Sequence, residues 1–219
     1  MPVTQRDSWQ ALETALAALF PPGTATALVR IDAPHPAPFP EERPAIAGAV
    51  AARCAEFTAG RTAARQALAA LGLAPAAIPT GPQRQPLWPP GISGSIAHAA
   101  GLAGAALRHG APLGLDIEED APLAPDLWPL ICEADELAAL PTEGRGTYVR
   151  QVFSAKEAAF KAQFPRTGAL IGFDAMQVRL SPGTFTARFR ETVGDFPVGH
   201  VFQGRLICQA GIIFAGVSL

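Results

Sequence analysis

The chain contains little charge of either sign. Of its 219 residues, 17 are Lys or Arg and 19 are Asp or Glu, so only 16% are charged and the net charge is −2. This balance excludes a generally basic nucleic-acid-binding protein. Hydrophobic residues make up 49% of the chain, a composition that favours a folded protein over a disordered one.

Cysteine is scarce and long apolar runs are absent. The three cysteines form no CxxC pair, which favours free thiols in a reducing cytoplasm over a zinc site or a disulfide framework. The N-terminal stretch carries charges where a secretory signal would be apolar. The most apolar tail, residues 206–219, is shorter than the roughly 20 residues that cross a bilayer. We therefore expect a cytoplasmic protein without a membrane span.

The hydrophobic patterns predict helices and strands in a repeated order. Apolar residues at helical spacing predict helices near 9–19, over 41–71 with a break at Gly60, and over 126–140 and 147–164. Three short runs predict an antiparallel meander at 93–98, 102–108 and 113–118. Alternating patterns predict later strands near 184–190 and 202–206 and a terminal apolar run. This order favours an α+β fold of two similar halves, residues 1–112 and 113–219.

Lysine occurs only twice among the 17 basic residues, as Lys156 and Lys161 on either side of Glu157. A lysine side chain ends in a compact, rotatable ammonium, unlike the planar fork of arginine. Glu157 and Lys161 have the spacing of a surface ion pair on a helix. The sequence leaves open whether the two lysines form such a pair or part of a reactive site.

A second acidic motif is Gly114-Leu-Asp-Ile-Glu118. Side chains two apart in a strand share a face, so Asp116 and Glu118 point the same way. Two adjacent carboxylates repel each other unless a cation lies between them. Because neither His nor Cys is near, their hard oxygens favour Mg²⁺ over Zn²⁺. The alternative is a solvated acidic strand end shared with Glu119 and Asp120.

The third motif is a row of arginines on one predicted helix. Arg53, Arg61 and Arg65 lie within about a third of the helix circumference. Like charges so placed favour an anion, and the arginine fork suits phosphate. Arg84 in a proline-rich loop and His98 at a strand end extend this set. Taken singly, each arginine is equally typical of an exposed, solubilising side chain.

The acidic and basic motifs together predict a phosphate-rich substrate. Asp116, Glu118 and Glu157 would hold Mg²⁺ on phosphate oxygens, while arginine and lysine side chains neutralise the remaining charge.

In this order the motifs resemble those of the 4'-phosphopantetheinyl transferases, in particular the enterobactin-synthesis type that serves siderophore, polyketide and fatty-acyl carrier proteins. The resemblance extends over about residues 45–175. The matching segments are RCAEFTAGR (53–61), RQPLWPPG (84–91), GSIAH (94–98), GLDIE (114–118) and FSAKEAAFK (153–161).

The resemblance implies two α+β halves about a pseudo-twofold axis, with coenzyme A in the cleft between them. A serine hydroxyl of an apo acyl, peptidyl or aryl carrier protein would attack the β-phosphorus of coenzyme A, and 3',5'-ADP would leave. The resemblance implies that Asp116, Glu118 and Glu157 bind Mg²⁺ and that Glu157 also acts as the base. It implies that Arg53, Arg61, Arg84 and His98 bind the phosphates of coenzyme A. Lys156 and Lys161 would contact the diphosphate.

Two positions depart from the family pattern. Ala97 stands where the family often has serine, so a hydroxyl that would bond a coenzyme A phosphate is missing. Such a hydrogen bond contributes about 1 kcal/mol, so we expect weaker binding with the chemistry retained. Gln85 stands where some members have lysine, and we assign that role to the adjacent Arg84.

Two other functions are consistent with the same motifs. A magnesium-dependent nucleotide phosphohydrolase would use the three acids with water as nucleophile. An inactive module that binds coenzyme A or carrier proteins would not need all three acids. Carrier proteins are usually acidic, so Arg145, Arg150 and Phe164 are candidates for receiving one. Two halves in one chain favour a monomer.

Overall fold

The structure is a computed structural model that describes residues 5–219. In this part of the chain the helices are α1 (Gln5–Ala18), α2 (Ala51–Ala70), α3 (Trp128–Ile131), α4 (Ala134–Ala139) and α5 (Arg145–Thr167). The strands are β1 (Ala25–Arg30), β2 (Ile92–Ala99), β3 (Leu102–His109), β4 (Leu113–Glu119), β5 (Met176–Ser181), β6 (Thr184–Phe189), β7 (Val201–Gln209) and β8 (Ile212–Ser218). No helix in this range is long and apolar enough to cross a membrane.

The strands form two antiparallel sheets, one ordered β1-β3-β2 and the other β4-β8-β7-β6-β5. The α+β prediction is confirmed, but the predicted meander is wrong at its third strand. β3 is already paired with β1 on one edge and β2 on the other. Because a strand has only two hydrogen-bonding edges, β4 pairs with β8 and begins the second sheet.

Two helix predictions are wrong about where the helices are interrupted. Gly60 does not divide α2, which is continuous over Ala51–Ala70. A Cβ at Gly60 would lie 2.9 Å from Ile96 Cγ2, so this glycine allows the helix to approach β2 closely. The predicted helix over 126–140 is instead the two short helices α3 and α4, separated at Cys132, whose backbone is extended. β1 and β5 were missed.

The two sheets share part of their core. α2 packs on the first sheet and α5 on the second. α1 supplies Leu12 and Leu16 to one apolar cluster that also contains Leu113, Leu115 and Phe214 from β4 and β8. Residues of both predicted halves are therefore buried together, and the domain boundary at residue 112 stays a prediction.

A buried serine joins the two sheets where β2 meets β4. The Leu115 amide donates to Ser95 Oγ at 3.0 Å, and Ser95 Oγ donates to the Leu115 carbonyl at 3.4 Å. Ser95 is 4% exposed. One hydroxyl thus satisfies both backbone groups of Leu115, and it holds the two strands that border the cleft beside each other.

Candidate active site

The cleft begins with an unusually close approach between β4 and α5. A Cβ at Gly114 would collide with the carbonyl oxygen of Ala158 and would lie 2.7 Å from the amide nitrogen of Ala162. Only glycine allows a helix backbone to lie this near to the strand. The contact brings the acidic residues of β4 against the helix face that carries Glu157 and Lys161.

Asp116 is the centre of this contact. The Lys161 ammonium donates to Asp116 Oδ1 at 2.6 Å, and Ser154 Oγ donates to Oδ2 at 2.9 Å. Asp116 is 5% exposed and Ser154 is fully buried. Sequence reasoning missed Ser154, although its spacing of seven residues from Lys161 places both on the same face of a helix.

Glu118 and Glu157 each lie near enough to Asp116 to be affected by its charge. Glu118 Oε2 accepts from Arg150 Nη1 at 2.9 Å, and Glu157 Oε2 is 3.9 Å from the Lys161 ammonium. Burial raises the pKa of Glu118 and of Glu157, and the negative charge of Asp116 raises both further. The three carboxylates that the sequence predicted are therefore close enough to interact.

Lys161 takes part in more than a surface ion pair. Burial alone would lower its pKa, but the charges of Asp116 and Glu157 outweigh that effect and the pKa is raised. Its partner at 2.6 Å is Asp116 on a different element, whereas Glu157 at i−4 is farther away. The ammonium thus connects β4 to α5 while about a quarter of the side chain remains exposed.

These acids suit a hard divalent cation. Three carboxylates face one lysine and one arginine, which leaves excess negative charge in a half-buried cleft. Within residues 5–219, no group of three or more His, Cys, Asp or Glu side chains is arranged so that these side chains alone could hold a metal ion. Mg²⁺ does not require such a group, because it keeps several waters and is commonly held by one or two carboxylates plus substrate phosphates. The donor chemistry therefore fits Mg²⁺.

The N-terminal half contributes Arg53 from α2 and His98 from β2. Arg53 Nη1 donates to His98 Nε2 at 3.1 Å and lies 3.4 Å from Glu56 Oε2. Burial lowers the pKa of His98; Glu56 opposes this effect, and Arg53 and Lys161 add to it. Because His98 interacts with the charge of Lys161, the basic and acidic sets border the same cleft.

Arg61 and Arg65, predicted on the same face as Arg53, point into the protein. Arg61 is 6% exposed and donates to the Ile78 carbonyl at 2.7 Å and to Thr80 Oγ1 at 3.0 Å. Burial lowers its pKa to about 10. Arg65 binds both oxygens of the fully buried Glu42 at 3.0 Å. These contacts anchor the segment that leads to the Arg84 loop.

Lys156 is also placed away from the open cleft. Its ammonium donates to the Ile131 carbonyl, to Glu136 and to the Phe173 carbonyl, at 2.7, 2.8 and 2.7 Å. The side chain is 2% exposed. The structure thus brings together the three acids and Lys161, Arg53 and His98, while Lys156, Arg61 and Arg65 have partners inside the fold.

A cavity of about 520 Å³ opens between α5 on one side and β2 with its preceding loop on the other. This volume is within the range of roughly 300–1,000 Å³ that is typical of small-molecule sites. Its walls combine apolar rings with basic side chains. They include Arg84, Trp88 and Ile96 from the first half and Phe160, Lys161 and Phe164 from the second.

The Arg84 loop forms one edge of this cavity. Arg84 has a φ of +67° in a turn closed by the hydrogen bond from the Gly81 amide to the Gln85 carbonyl at 2.8 Å. Gln85 folds back, and its Oε1 accepts from the Gln83 amide at 3.0 Å. Arg84 and Gln83 are exposed at this edge, whereas Gln85 is half-buried. Ala97 is buried in the shared core at 4% exposure.

Comparisons with known proteins agree with this arrangement. Residues 41–108 match the 4'-phosphopantetheinyl transferase N-terminal domain, and residues 112–205 match the 4'-phosphopantetheinyl transferase superfamily. These two regions include the acidic and basic residues of the cleft.

Curated relatives match over most of the chain. 4'-Phosphopantetheinyl transferase Svp of Streptomyces mobaraensis is 35% identical over 93% of this chain and 89% of the relative. 4'-Phosphopantetheinyl transferase PptT of Mycobacterium tuberculosis is 38% identical over 86% of this chain and 88% of the relative. Enterobactin synthase component D of Salmonella typhi is 39% identical over 58% of this chain and 54% of the relative. The chain belongs to the 4'-phosphopantetheinyl transferase superfamily.

Proposed function

We propose that the cleft between β2, β4 and α5 is where this enzyme carries out a magnesium-dependent transfer. As a member of the superfamily, the protein is a transferase that moves the 4'-phosphopantetheine group from coenzyme A to a carrier protein. The observation that supports the location is the cluster of Asp116, Lys161 and Ser154, with Glu118 and Glu157 beside it.

Asp116, Glu118 and Glu157 would hold the cation. When bound, Mg²⁺ would neutralise diphosphate oxygens and the charge that develops on the leaving 3',5'-ADP. The excess of carboxylate charge in the cleft supports this assignment, as does the raised pKa of the two glutamates beside Asp116.

The protein's own cations surround the phosphate groups of coenzyme A. The Arg53 guanidinium can only donate hydrogen bonds, so His98 Nε2 must accept the bond between them. The single ring proton of neutral His98 is therefore on Nδ1. The lowered pKa of His98 keeps the ring neutral near pH 7. We assign Arg53, His98, Arg84 and Lys161 to phosphate binding, with Arg61 supporting the Arg84 loop from inside.

Glu157 is our candidate for the base. The serine oxygen of the carrier forms a bond to the β-phosphorus, the bond to 3',5'-ADP breaks, and the serine proton must be taken up. A carboxylate whose pKa is raised above its ordinary value is a stronger base. Burial raises the pKa of Glu157 in this way, and Lys161 lies beside its carboxylate.

The three residues expected to receive an acidic carrier differ in their contacts. Arg145 donates to the Leu140 and Pro141 carbonyls. Arg150 binds Glu118, and Phe164 lines the cavity. We therefore keep Phe164 as a docking candidate and assign Arg150 to the orientation of Glu118.

A monomer in the cytoplasm remains our proposal. Cys54, Cys132 and Cys208 are free thiols, as is usual for a protein of a reducing compartment.

The test is intact-mass spectrometry of a purified apo carrier protein incubated with this enzyme, coenzyme A and Mg²⁺. We expect a mass gain of one phosphopantetheine, abolished by EDTA and by Glu157→Gln. Transfer that continues in both controls would contradict the proposed site. Release of phosphate or nucleotide without a carrier would favour a phosphohydrolase, and coenzyme A binding without transfer to any carrier would favour an inactive binding module.

A further inference from the structure

The Lys156 ammonium is completely enclosed by the fold. A lysine ammonium has three protons to donate, and three acceptors surround Lys156 Nζ. They are the Ile131 carbonyl at 2.7 Å, Glu136 Oε2 at 2.8 Å and the Phe173 carbonyl at 2.7 Å. All of its hydrogen-bonding capacity is therefore used inside the protein.

Both carboxylate oxygens of Glu136 also accept hydrogen bonds inside the protein. Its Oε1 accepts from the Val178 amide at 2.7 Å, and its Oε2 accepts from the Glu133 amide at 3.0 Å as well as from Lys156. The Glu136 side chain is fully buried. The Lys156–Glu136 pair thus fastens α5 to the start of α4 and to β5.

This pair lies directly behind Glu157. Successive residues on a helix point about 100° apart, and accordingly Lys156 faces inward while Glu157 is partly exposed. Lys156 also donates to the Phe173 carbonyl, and Lys156, Glu157 and Phe173 all line one small cavity of about 170 Å³. One ammonium therefore fixes both the turn of α5 that carries Glu157 and the facing wall.

We propose that Lys156 is a positioning residue that, with Glu136, holds Glu157 in place, and that it is not a ligand of coenzyme A. The inference rests on the proposed role of Glu157. To reach a diphosphate, the ammonium would have to leave all three acceptors, and the buried Glu136 carboxylate would keep only the more distant Arg190, at 3.8 Å, as a cationic partner, which is unfavourable in a buried site.

Chemical modification of the unaltered enzyme tests the proposal directly. The chain contains only two lysines, so an amine-reactive ester followed by peptide mass mapping reports on each one. We expect Lys161 to react and coenzyme A to protect it, whereas Lys156 stays unmodified with or without coenzyme A. Reaction of Lys156 at a rate similar to that of Lys161, with protection by coenzyme A, would overturn the proposal.

Substitution supplies the second test. Lys156→Met alone leaves Glu136 with Arg190, 3.8 Å from its Oε2, as its nearest cation, and should lower the melting temperature by roughly 10 °C. Lys156→Met combined with Glu136→Leu removes both charges and should recover part of that loss. In the double variant we expect the coenzyme A dissociation constant, measured by calorimetry, to stay within about threefold, while kcat falls about tenfold or more.

The comparison variant is Lys161→Met, which should weaken coenzyme A binding. A similar weakening in the double variant, or an unchanged kcat, would contradict a positioning role. Different results would contradict the proposed function itself: no transfer by the unaltered enzyme, or full activity of Glu157→Gln. Both the calorimetry and the lysine mapping are independent of turnover.

Discussion

Lys161 on α5 and Asp116 on β4 form an ion pair of 2.6 Å across the boundary between a helix and a sheet. The pair is formed at the point where Gly114 lets the two backbones approach. Ser154 occupies the other Asp116 oxygen at 2.9 Å. The geometry of the acidic cluster therefore depends on the packing of small residues as much as on the charged residues themselves.

Gly114→Ala should displace α5. The added methyl group would meet the backbone of Ala158 and Ala162, which cannot move without shifting the helix. We expect a loss of stability of about 1–3 kcal/mol and a fall in kcat of at least tenfold, measured by thermal melting and by carrier modification.

The comparison variant is Gly60→Ala, whose methyl group would lie 2.9 Å from the Ile96 Cγ2 methyl but would meet no backbone atom, so it should displace its helix less and leave kcat less affected. A Gly114→Ala enzyme with unchanged kcat would show that the close approach does not position the site.

Ser95→Ala should loosen the junction of the two sheets. The substitution leaves the buried amide and carbonyl of Leu115 without the hydroxyl that serves both. Such groups cost about 1–3 kcal/mol when unsatisfied, and the melting temperature should fall accordingly. Ser93→Ala, at a hydroxyl bonded only to the Gly110 carbonyl, is the control and should have a smaller effect. Equal effects would refute a special role for Ser95.

Stability without added metal should depend on pH through Glu118 and Glu157. Their pKa values are raised above 4.5 by burial and by Asp116, so the folded state disfavours their charged forms. As the pH rises, the two glutamates lose their protons in the unfolded chain before they do in the folded protein. The protonated glutamates therefore contribute their full stabilisation below pH 4.5, and this stabilisation is lost as the pH rises through their folded-state pKa values.

Millimolar Mg²⁺ should offset this loss by binding the folded state. We expect the melting temperature at pH 7.5 to rise by about 3–8 °C, with a smaller rise near pH 5. Differential scanning fluorimetry over a pH series measures both effects. Glu157→Gln should reduce the Mg²⁺ response, whereas Glu143→Gln at an exposed position should not. A response that is equal at both pH values would contradict the assignment.

Arg53→Ala should mainly weaken coenzyme A binding, whereas Arg61→Ala should mainly lower stability. Arg53 is 42% exposed at the cleft, so its loss should weaken coenzyme A binding about tenfold with little change in melting temperature. Arg61 is buried, bonds the Ile78 carbonyl and Thr80, and lies over the Phe57 ring at 4.3 Å. Its loss should cost about 2 kcal/mol or more of stability. If Arg61→Ala weakened binding without lowering stability, the phosphate role implied by the resemblance would be favoured.

The sequence determined the chemistry of the cleft to a large extent. The two-residue period of a strand placed Asp116 and Glu118 on one side, and the helical spacing of Glu157 and Lys161 placed them together. These are local properties, and they do not depend on which elements pack against each other. The order of the motifs was enough to indicate the superfamily, and the comparisons confirm it.

Tertiary structure decided which charged groups reach the cleft. Periodicity gave Arg53, Arg61 and Arg65 one helix face, but partners distant in the sequence turned Arg61 and Arg65 inward. The resemblance gave Lys156 and Lys161 the same role beside the diphosphate, although Glu136 and two carbonyl groups enclose Lys156. The pairing of β4 with β8 depended on both edges of β3 being occupied. A sequence pattern specifies a face, whereas the partner on that face depends on long-range packing.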